Sequence, residues 1–282
     1  MNKTTPSPDQ DHQTPEEQKD FQNIEKNGKC TEHLNGDCRL EGEWKKNELH
    51  GKVTFFYPDG SRIEGIAEEG DFISGAYYDH KGKKIKKLKV DFVKREEMPD
   101  FKHDKDPYEK RFLKVKEVEG KGQGLFAKRL IKQGQLCSLY SGTLIPHYKV
   151  DRRRWEFNSN TIEADPNFSI DVPSPYHNLE EYSASLGHKA NHSFEPNSKY
   201  VFLFHPKFGD IMSVVATKDI EPGEEITVNY GYSKHARGPK WYREARKAYR
   251  KEQKQIEIAE RKRQREVSKP KAKITSKRRK LE

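Results

Sequence analysis

Tyr230 and Tyr232 close a segment in which Ile226, Val228, Tyr230 and Tyr232 alternate with Thr227, Asn229 and Gly231. A strand period of two therefore turns both phenols toward the apolar side. Aromatic walls carrying hydroxyls suit a narrow channel for an alkyl chain that ends in nitrogen, because the rings attract a cation and the oxygens orient an amine. A second polar cluster, Asn191-His192-Ser193, follows Gly187-His188-Lys189-Ala190, and a third feature is Gln123 between Gly122 and Gly124. Glycines at such a turn permit a tight bend and close backbone approach to a ligand. Each has an ordinary alternative: strand-end tyrosines and an Asn-His pair also occur as satisfied core groups, and a lone Gly-x-Gly is often a plain turn.

The elements that would hold these residues are short strands bounded by glycine or proline, read at 113–118, 124–127, 136–140, 169–172, 200–204, 211–216 and 226–230. Turns such as Glu221-Pro222-Gly223-Glu224 separate them, and an all-β core with few helices follows. Upstream there is a repeat. Leu40-Glu41-Gly42-Glu43 returns 23 residues later as Ile63-Glu64-Gly65-Ile66, Pro58-Asp59-Gly60 corresponds to His80-Lys81-Gly82, and Gly51 to Gly75. That period predicts stacked hairpins, with Phe55-Phe56-Tyr57 supplying a sheet face. The Lys-, Glu- and Asp-rich stretch from Lys81 to Pro107, anchored by Val90, Phe92, Val93 and Phe101, reads as a connector with a strand or two.

The chain has 282 residues, and its 32% apolar residues plus 19 glycines make about 39%, below the ~45–50% of globular chains. Part of it is therefore expected to stay outside any core. The first 30 or so residues, with Pro6, Pro8 and Pro15 and few large apolar groups beyond Phe21 and Ile24, fit that role. Cys30, Cys38 and Cys137 are too few and too scattered for a disulfide scaffold or zinc cluster, which points to a reducing compartment and no metal. No run of ~18 apolar residues and no apolar signal segment occurs, so a soluble, cytosol-made protein with no membrane partner is expected. Net charge is +10, yet residues 233–282 carry 20 Lys or Arg against 6 Asp or Glu, leaving 35 against 39 elsewhere. The basic character belongs to the carboxyl-terminal segment, the signature of a nucleic-acid or acidic-surface contact.

Gly122-Gln123-Gly124-Leu125-Phe126, Tyr140-Ser141-Gly142, Asn191-His192-Ser193 and Asn229-Tyr230-Gly231-Tyr232 together resemble the SET-domain protein lysine methyltransferases. Ile170-Asp171-Val172-Pro173, Ala184 through Asn191 and the run from Tyr230 to Tyr232 are similar to the branch with MORN repeats ahead of the SET domain, whose best-known member monomethylates lysine-4 of histone H3. The resemblance covers about residues 38 to 245. It implies MORN-like repeats over 38–88, a connector over 89–110 and a SET domain with a pseudoknot over 111–232; composition adds a disordered segment over 1–37 and, with helical spacing, a basic helix and tail in the post-SET segment over 233–282. The fold class is mainly β. The implied cofactor is S-adenosyl-L-methionine, the partners a histone H3 tail or similar basic protein and a nucleosome or DNA, the location nucleus and chromosome, and the state monomeric.

The resemblance also assigns roles. Tyr230 is the catalytic tyrosine, and its hydroxyl with that of Tyr140 orients the amine; Tyr200 and Tyr232 line the channel, and Asp151 and Thr161 touch the substrate peptide. Lys121, Gly122, Gln123, Asn160, Lys189, Asn191 and His192 match cofactor contacts. Gln123 stands where relatives have glutamate, a change a backbone contact would tolerate. Trp241 matches the post-SET tryptophan over the cofactor, but Ala245 replaces the acidic partner and Glu244 sits one place early. Trp241, Ala245, Ala248, Tyr249, Ile256 and Ala259 recur at helical spacing, Pro270 interrupts, and Lys277-Arg278-Arg279-Lys280 reads as a nuclear-import or nucleic-acid patch. A second reading stays open: a catalytically weak SET and MORN module that binds chromatin through its tail. A MORN-based membrane scaffold fits less well, because exposed residues of the repeats are mixed in charge.

Overall fold

The structure, a computed structural model, describes residues 25–85, 106–154, 160–164, 166–172, 185–232 and 239–267. They fall into two compact units, one drawn from Met1–Met98 and Leu203–Asp210, the other from Pro99–Phe202 and Ile211–Glu282.

The first unit is a five-stranded antiparallel meander of β1 (Gly28–Leu34), β2 (Cys38–Lys45), β3 (Glu48–Phe56), β4 (Arg62–Glu68) and β5 (Asp71–Tyr78). Register carries Leu40 opposite Phe55, Phe55 opposite Ile63 and Ile63 opposite Tyr77, one continuous buried row across four strands. Cross-strand pairs of this kind are what stabilise a sheet face. Leu40 and Ile63 are the equivalent positions of the 23-residue repeat. Gly42 and Gly65, also equivalent, both sit across from Val53, and a Cβ on Gly42 would meet Val53 at 2.5 Å. Bulges follow one residue out of step in the two repeats, after Gly42 and after Ile66. In the same unit Nδ1 of His205 accepts from the Lys207 amide at 3.1 Å, so its Nε2–H donates to the Tyr57 hydroxyl at 2.7 Å.

The sheet begins earlier than expected. β1 pairs with β2 from Gly28↔Trp44 to Leu34↔Cys38, inside the segment 1–37 read as disordered. Its mostly exposed side chains carry no apolar alternation, and backbone ladder bonds to one neighbour hold it as an edge strand. Residues 1–24, and the connector over 86–105, lie outside the described residues.

The second unit is built of small sheets. Helix α1 (Pro107–Phe112) starts at Asp106, whose side chain accepts from the Tyr108 amide at 2.8 Å, with proline at the first turn, and so occupies the end of the expected connector. β6 (Leu113–Val118) and β7 (Gly122–Ala127) form a hairpin; β8 (Leu136–Tyr140), β9 (Thr143–Pro146), helix α2 (His147–Asp151), β10 (Thr161–Glu163) and β11 (Phe168–Asp171) follow. β12 (Asn191–His192), β13 (Ser198–His205), β14 (Gly209–Ala216), β15 (Glu225–Val228) and helix α3 (Lys240–Val267) complete the chain, with Leu203–Asp210, at the β13–β14 turn, counted in the first unit. The sheets are ordered β10-β11-β9, β12-β15-β7-β6 and β13-β14-β8. Leu125, Leu136, Leu139, Ile211, Val214, Ile226 and Val228 are fully buried in this unit's core. Among the described residues no helix is long and apolar enough to cross a membrane and no group of side chains could hold a metal ion. Cys30, Cys38 and Cys137 form no disulfide among the described residues, and burial pushes the Cys137 thiol up to about 12.

Candidate active site

β12 is two residues long and runs parallel to β15, pairing Asn191 with Thr227 and His192 with Val228. Sequences far apart in the chain thereby bring the Asn-His pair against the tyrosine segment. The strand expected over 226–230 stops at Val228, because the Tyr230 amide donates to Nδ1 of His192 at 3.2 Å instead of continuing a ladder. Beyond it Gly231 adopts φ 66°, a left-handed conformation that glycine tolerates best. The alternation continues nonetheless: Ile226 and Val228 are buried, Tyr230 and Tyr232 half-buried, Asn229 and Gly231 exposed.

Nδ1 of His192 is an acceptor here, so the neutral ring carries its proton on Nε2. That Nε2 is buried and has no hydrogen-bond partner among the described residues. Burial, and then the neighbouring Lys121 charge, hold the imidazole down to about 4, with the Val228 main chain acting in the opposite direction. The ring is neutral at physiological pH. Around it stand Phe194 at 4.5 Å, Tyr242 at 5.1 Å, Tyr230 at 5.4 Å and Trp241 at 6.1 Å between centroids.

The Gly122–Gly124 turn meets this cluster through Asn191. Its Nδ2 donates to the Gln123 carbonyl at 3.2 Å and to Oε1 of Glu225 at 2.8 Å, and the other oxygen of Glu225 lies 3.9 Å from Nζ of Lys121. Gly122 has φ 74°, and a Cβ on Gly124 would meet Val118, Glu225 and Asn191 at 2.7–2.9 Å. Burial lowers the Lys189 ammonium from its usual range, partly offset by Glu117.

Four tyrosines converge next to it. Tyr140 and Tyr200 meet edge to face at 6.0 Å, as do Tyr230 and Tyr232 at 6.0 Å. Burial is the main cause that raises the phenols of Tyr200, Tyr230 and Tyr232, the first of them also through Tyr230 and Tyr232. All three stay protonated at neutral pH. The Tyr140 hydroxyl donates to the Asn160 carbonyl at 2.7 Å and that of Tyr230 to the Ala190 carbonyl at 3.0 Å. Each proton is thus committed to the backbone, and what remains on each oxygen is lone pairs.

The expected residues therefore separate. Lys121, Gly122, Gln123, Asn191, His192 and Tyr230 come together, as do Tyr140, Tyr200 and Tyr232 beside them. Asn160 participates through its carbonyl. Trp241, 48% exposed, lies 6.1–6.3 Å from His192, Tyr230 and Tyr232, while Tyr242, 7% exposed, sits closer, 5.1 Å from His192 and 4.8 Å from Tyr232. Glu244 is drawn away: its carboxylate faces Lys240 at 3.9 Å on the outer side of α3. Thr161 donates to Asp171, which also binds Arg153 at 2.7 Å, so its hydroxyl is occupied, while Asp151 is exposed at the end of α2.

Three positions carry weight that sequence reading did not give them. Glu225, just past the Pro222-Gly223 turn, ties Asn191 and Lys121; Phe194, one residue beyond Ser193, forms a wall. Glu109 is fully buried and accepts from the Ser138 hydroxyl at 2.6 Å and the Leu139 amide at 2.7 Å through one oxygen, and from the Leu186 amide at 3.1 Å through the other. It stitches the strand ending in Tyr140 to the turn leading into Asn191. Burial, and then Asp106, raise its carboxyl well above the usual range.

Comparison with known proteins agrees with this arrangement. The family model described as SET domain matches residues 122–231. The chain is 32% identical over 225 residues to "Histone-lysine N-methyltransferase SETD7" of Halocynthia roretzi, covering 70% of this chain and 58% of that protein. It is 30% identical over 146 residues to "Variant-silencing SET domain-containing protein" of Plasmodium falciparum (49% of this chain, 6% of that one). It is 35% identical over 105 residues to "Histone-lysine N-methyltransferase set9" of Aspergillus terreus (37% and 15%). The chain spans less than two thirds of the length of each of these relatives.

Proposed function

We propose that this chain, a SET-domain protein over residues 122–231, is a protein-lysine N-methyltransferase that uses S-adenosyl-L-methionine and acts on a basic protein tail, with lysine-4 of histone H3 and monomethylation as the favoured target and product. The observation that carries the reading is the buried, unpartnered Nε2–H of His192 at the foot of four clustered tyrosines. A buried donor without an acceptor costs about 1–3 kcal/mol, which a bound acceptor would recover.

The residues fit S-adenosyl-L-methionine. The Lys121–Gln123 turn, with its exposed left-handed glycine, can approach a ligand closely; Asn191 binds that turn, His192 and Trp241 follow from it, and Lys189, two residues before Asn191, is proposed to reach the same ligand. The cofactor's contribution is an electrophilic methyl group on a sulfonium. A lysine must arrive neutral, and an aromatic, half-buried channel beside a cation lowers the pKa of an ammonium from its usual ~10.4. Its proton leaves to solvent before transfer. Because the Tyr140 and Tyr230 protons are committed to the Asn160 and Ala190 carbonyls, both hydroxyls face an amine as acceptors. Two accepted N–H bonds would fix where the nitrogen lone pair points, which is the orientation an in-line displacement needs. Protonated phenols are no bases, and none is required.

Asp151, exposed at the end of α2, is proposed to favour a basic residue shortly before the target lysine, with Thr161 beside the peptide. The meander of the first unit is proposed as a short MORN array. The nucleus and chromosome are the proposed location, the monomer the proposed state, and the segment with Lys277-Arg278-Arg279-Lys280, outside the described residues, a proposed nucleosome or DNA contact.

The deciding experiment is incubation with labelled S-adenosyl-L-methionine, nucleosomes and free histones, read by mass spectrometry. Label on a histone H3 lysine supports the reading; cofactor affinity below detection by calorimetry would favour instead the catalytically weak chromatin-binding module.

A further inference from the structure

We infer that α3 is itself a duplex-DNA-binding element, reading the phosphate backbone along one basic face of the helix. The helix is fixed along its amino-terminal half: Phe194 stacks on Tyr249 at 4.9 Å, and Glu195 accepts from the Tyr249 hydroxyl and the Gln253 amide, both at 3.0 Å. From Lys254 to Arg265 every residue is exposed. With every side chain exposed, that stretch contributes nothing to the core.

Its charge is distributed by side. The 28 residues of α3 contain 11 Lys or Arg and 5 Glu. At 100° per residue, Arg243, Lys247, Arg250, Lys254, Arg261 and Arg265 fall within about 60° of one another, turned roughly 120° from Tyr242, Tyr249 and Gln253. All six are exposed. Glu244, Glu252 and Glu260 lie on other sides; Glu257 borders the stripe and pairs with Arg261 at 2.5 Å. From Arg243 to Arg265 the stripe runs about 33 Å, close to one turn of B-form DNA.

The choice of partner follows from shape and composition. A membrane surface would need an apolar face beside the basic one, and the exposed half offers only Ile256 and Ile258 as large apolar groups, on different sides of the helix. An α-helix fits the major groove of B-DNA, whereas the deep, narrow major groove of A-form RNA excludes it. Preference for DNA among polyanions also rests on the proposed histone substrate, which is packaged with it.

Fluorescence anisotropy of the full chain on a 25-base-pair duplex, without cofactor or histone, tests the inference across a salt series. Lys254→Glu and Arg263→Glu make the same change in charge on opposite sides of the same exposed stretch. We expect the first to weaken binding at least tenfold and to reduce the salt slope, and the second to change binding less than threefold, because each lost phosphate contact removes about 0.9 from the slope. The triple change Arg250→Glu, Lys254→Glu, Arg261→Glu should lower the slope by about 2–3, with helicity by circular dichroism unchanged. Equal effects at 254 and 263 would overturn the stripe; tighter binding to single-stranded RNA, anionic vesicles or a histone dimer than to the duplex would overturn the partner. Methylation of a short peptide, measured in parallel, stays at the unmodified level if the stripe is separate from the catalytic site. Absent methylation with intact duplex binding would sink the methyltransferase reading alone.

Discussion

The main-chain amide of Tyr230 donates to Nδ1 of His192 at 3.2 Å, joining residues 38 positions apart. One bond does three things: it ends the strand before Tyr230, selects the tautomer that puts the His192 proton on Nε2, and holds both rings at 5.4 Å.

For Tyr230→Phe we expect the fold retained and methyl transfer reduced ~100-fold, as for loss of one orienting group. The bond to the Ala190 carbonyl goes too, so the melting midpoint should drop by the equivalent of about 1 kcal/mol. Unchanged turnover on a peptide would move the catalytic role elsewhere.

His192 should make stability depend on pH. Its folded pKa of about 4 lies below the ordinary 6.5, so the unfolded chain takes up a proton that the folded chain refuses. The contribution is fully present above 6.5 and is lost as pH falls through about 4. Urea unfolding at pH 7.5 and 5.0 should show His192→Gln losing about 1–2 kcal/mol less than the unmodified protein over this interval. Equal losses would refute it. Glu109, raised rather than lowered, acts in the opposite direction and is common to both proteins, so the difference isolates His192.

Asn191→Ala removes the donor to the Gln123 carbonyl and to Glu225. Two hydrogen bonds at ~1 kcal/mol each predict a 10- to 30-fold weaker affinity for S-adenosyl-L-methionine by calorimetry, with kcat at saturation within about threefold. A fall confined to kcat would show that the bonds do not shape the cofactor turn. Gly124→Ala should act alike, since its Cβ collides with the same two side chains.

Product number should follow Tyr200. On the proposed reading its hydroxyl, with those of Tyr140, Tyr230 and Tyr232, would surround the amine and hold a water that a methylated nitrogen must displace before turning for a second transfer. The unmodified protein is expected to accumulate monomethyl-lysine and Tyr200→Phe to yield dimethyl-lysine. Di- or trimethyl-lysine from the unmodified protein in a peptide mass spectrum would falsify the first half of that expectation.

Much of this was legible in local pattern. Alternation through Ile226, Val228, Tyr230 and Tyr232 announced which side chains turn inward, and the 23-residue repeat placed Leu40 and Ile63 in the same row, because period two is a property of extended backbone whatever surrounds it. β1 escaped notice for the converse reason: an edge strand held by main-chain ladder bonds leaves no apolar signature. Trp241 and Tyr242 are adjacent, and composition could not say which is buried; α3's docking on Phe194 decided for Tyr242.

Sequence alone determined the residue types of the site, the basic character of the last segment and the strand content. Tertiary structure decided the partnerships. The parallel pairing of β12 with β15, the gathering of Asn191, Gln123, Lys121 and Glu225, and the burial of Glu109 under two distant amides all join segments separated by tens of residues. Local propensity carries no information about such contacts; they exist because buried donors and acceptors must find partners wherever the fold brings them together.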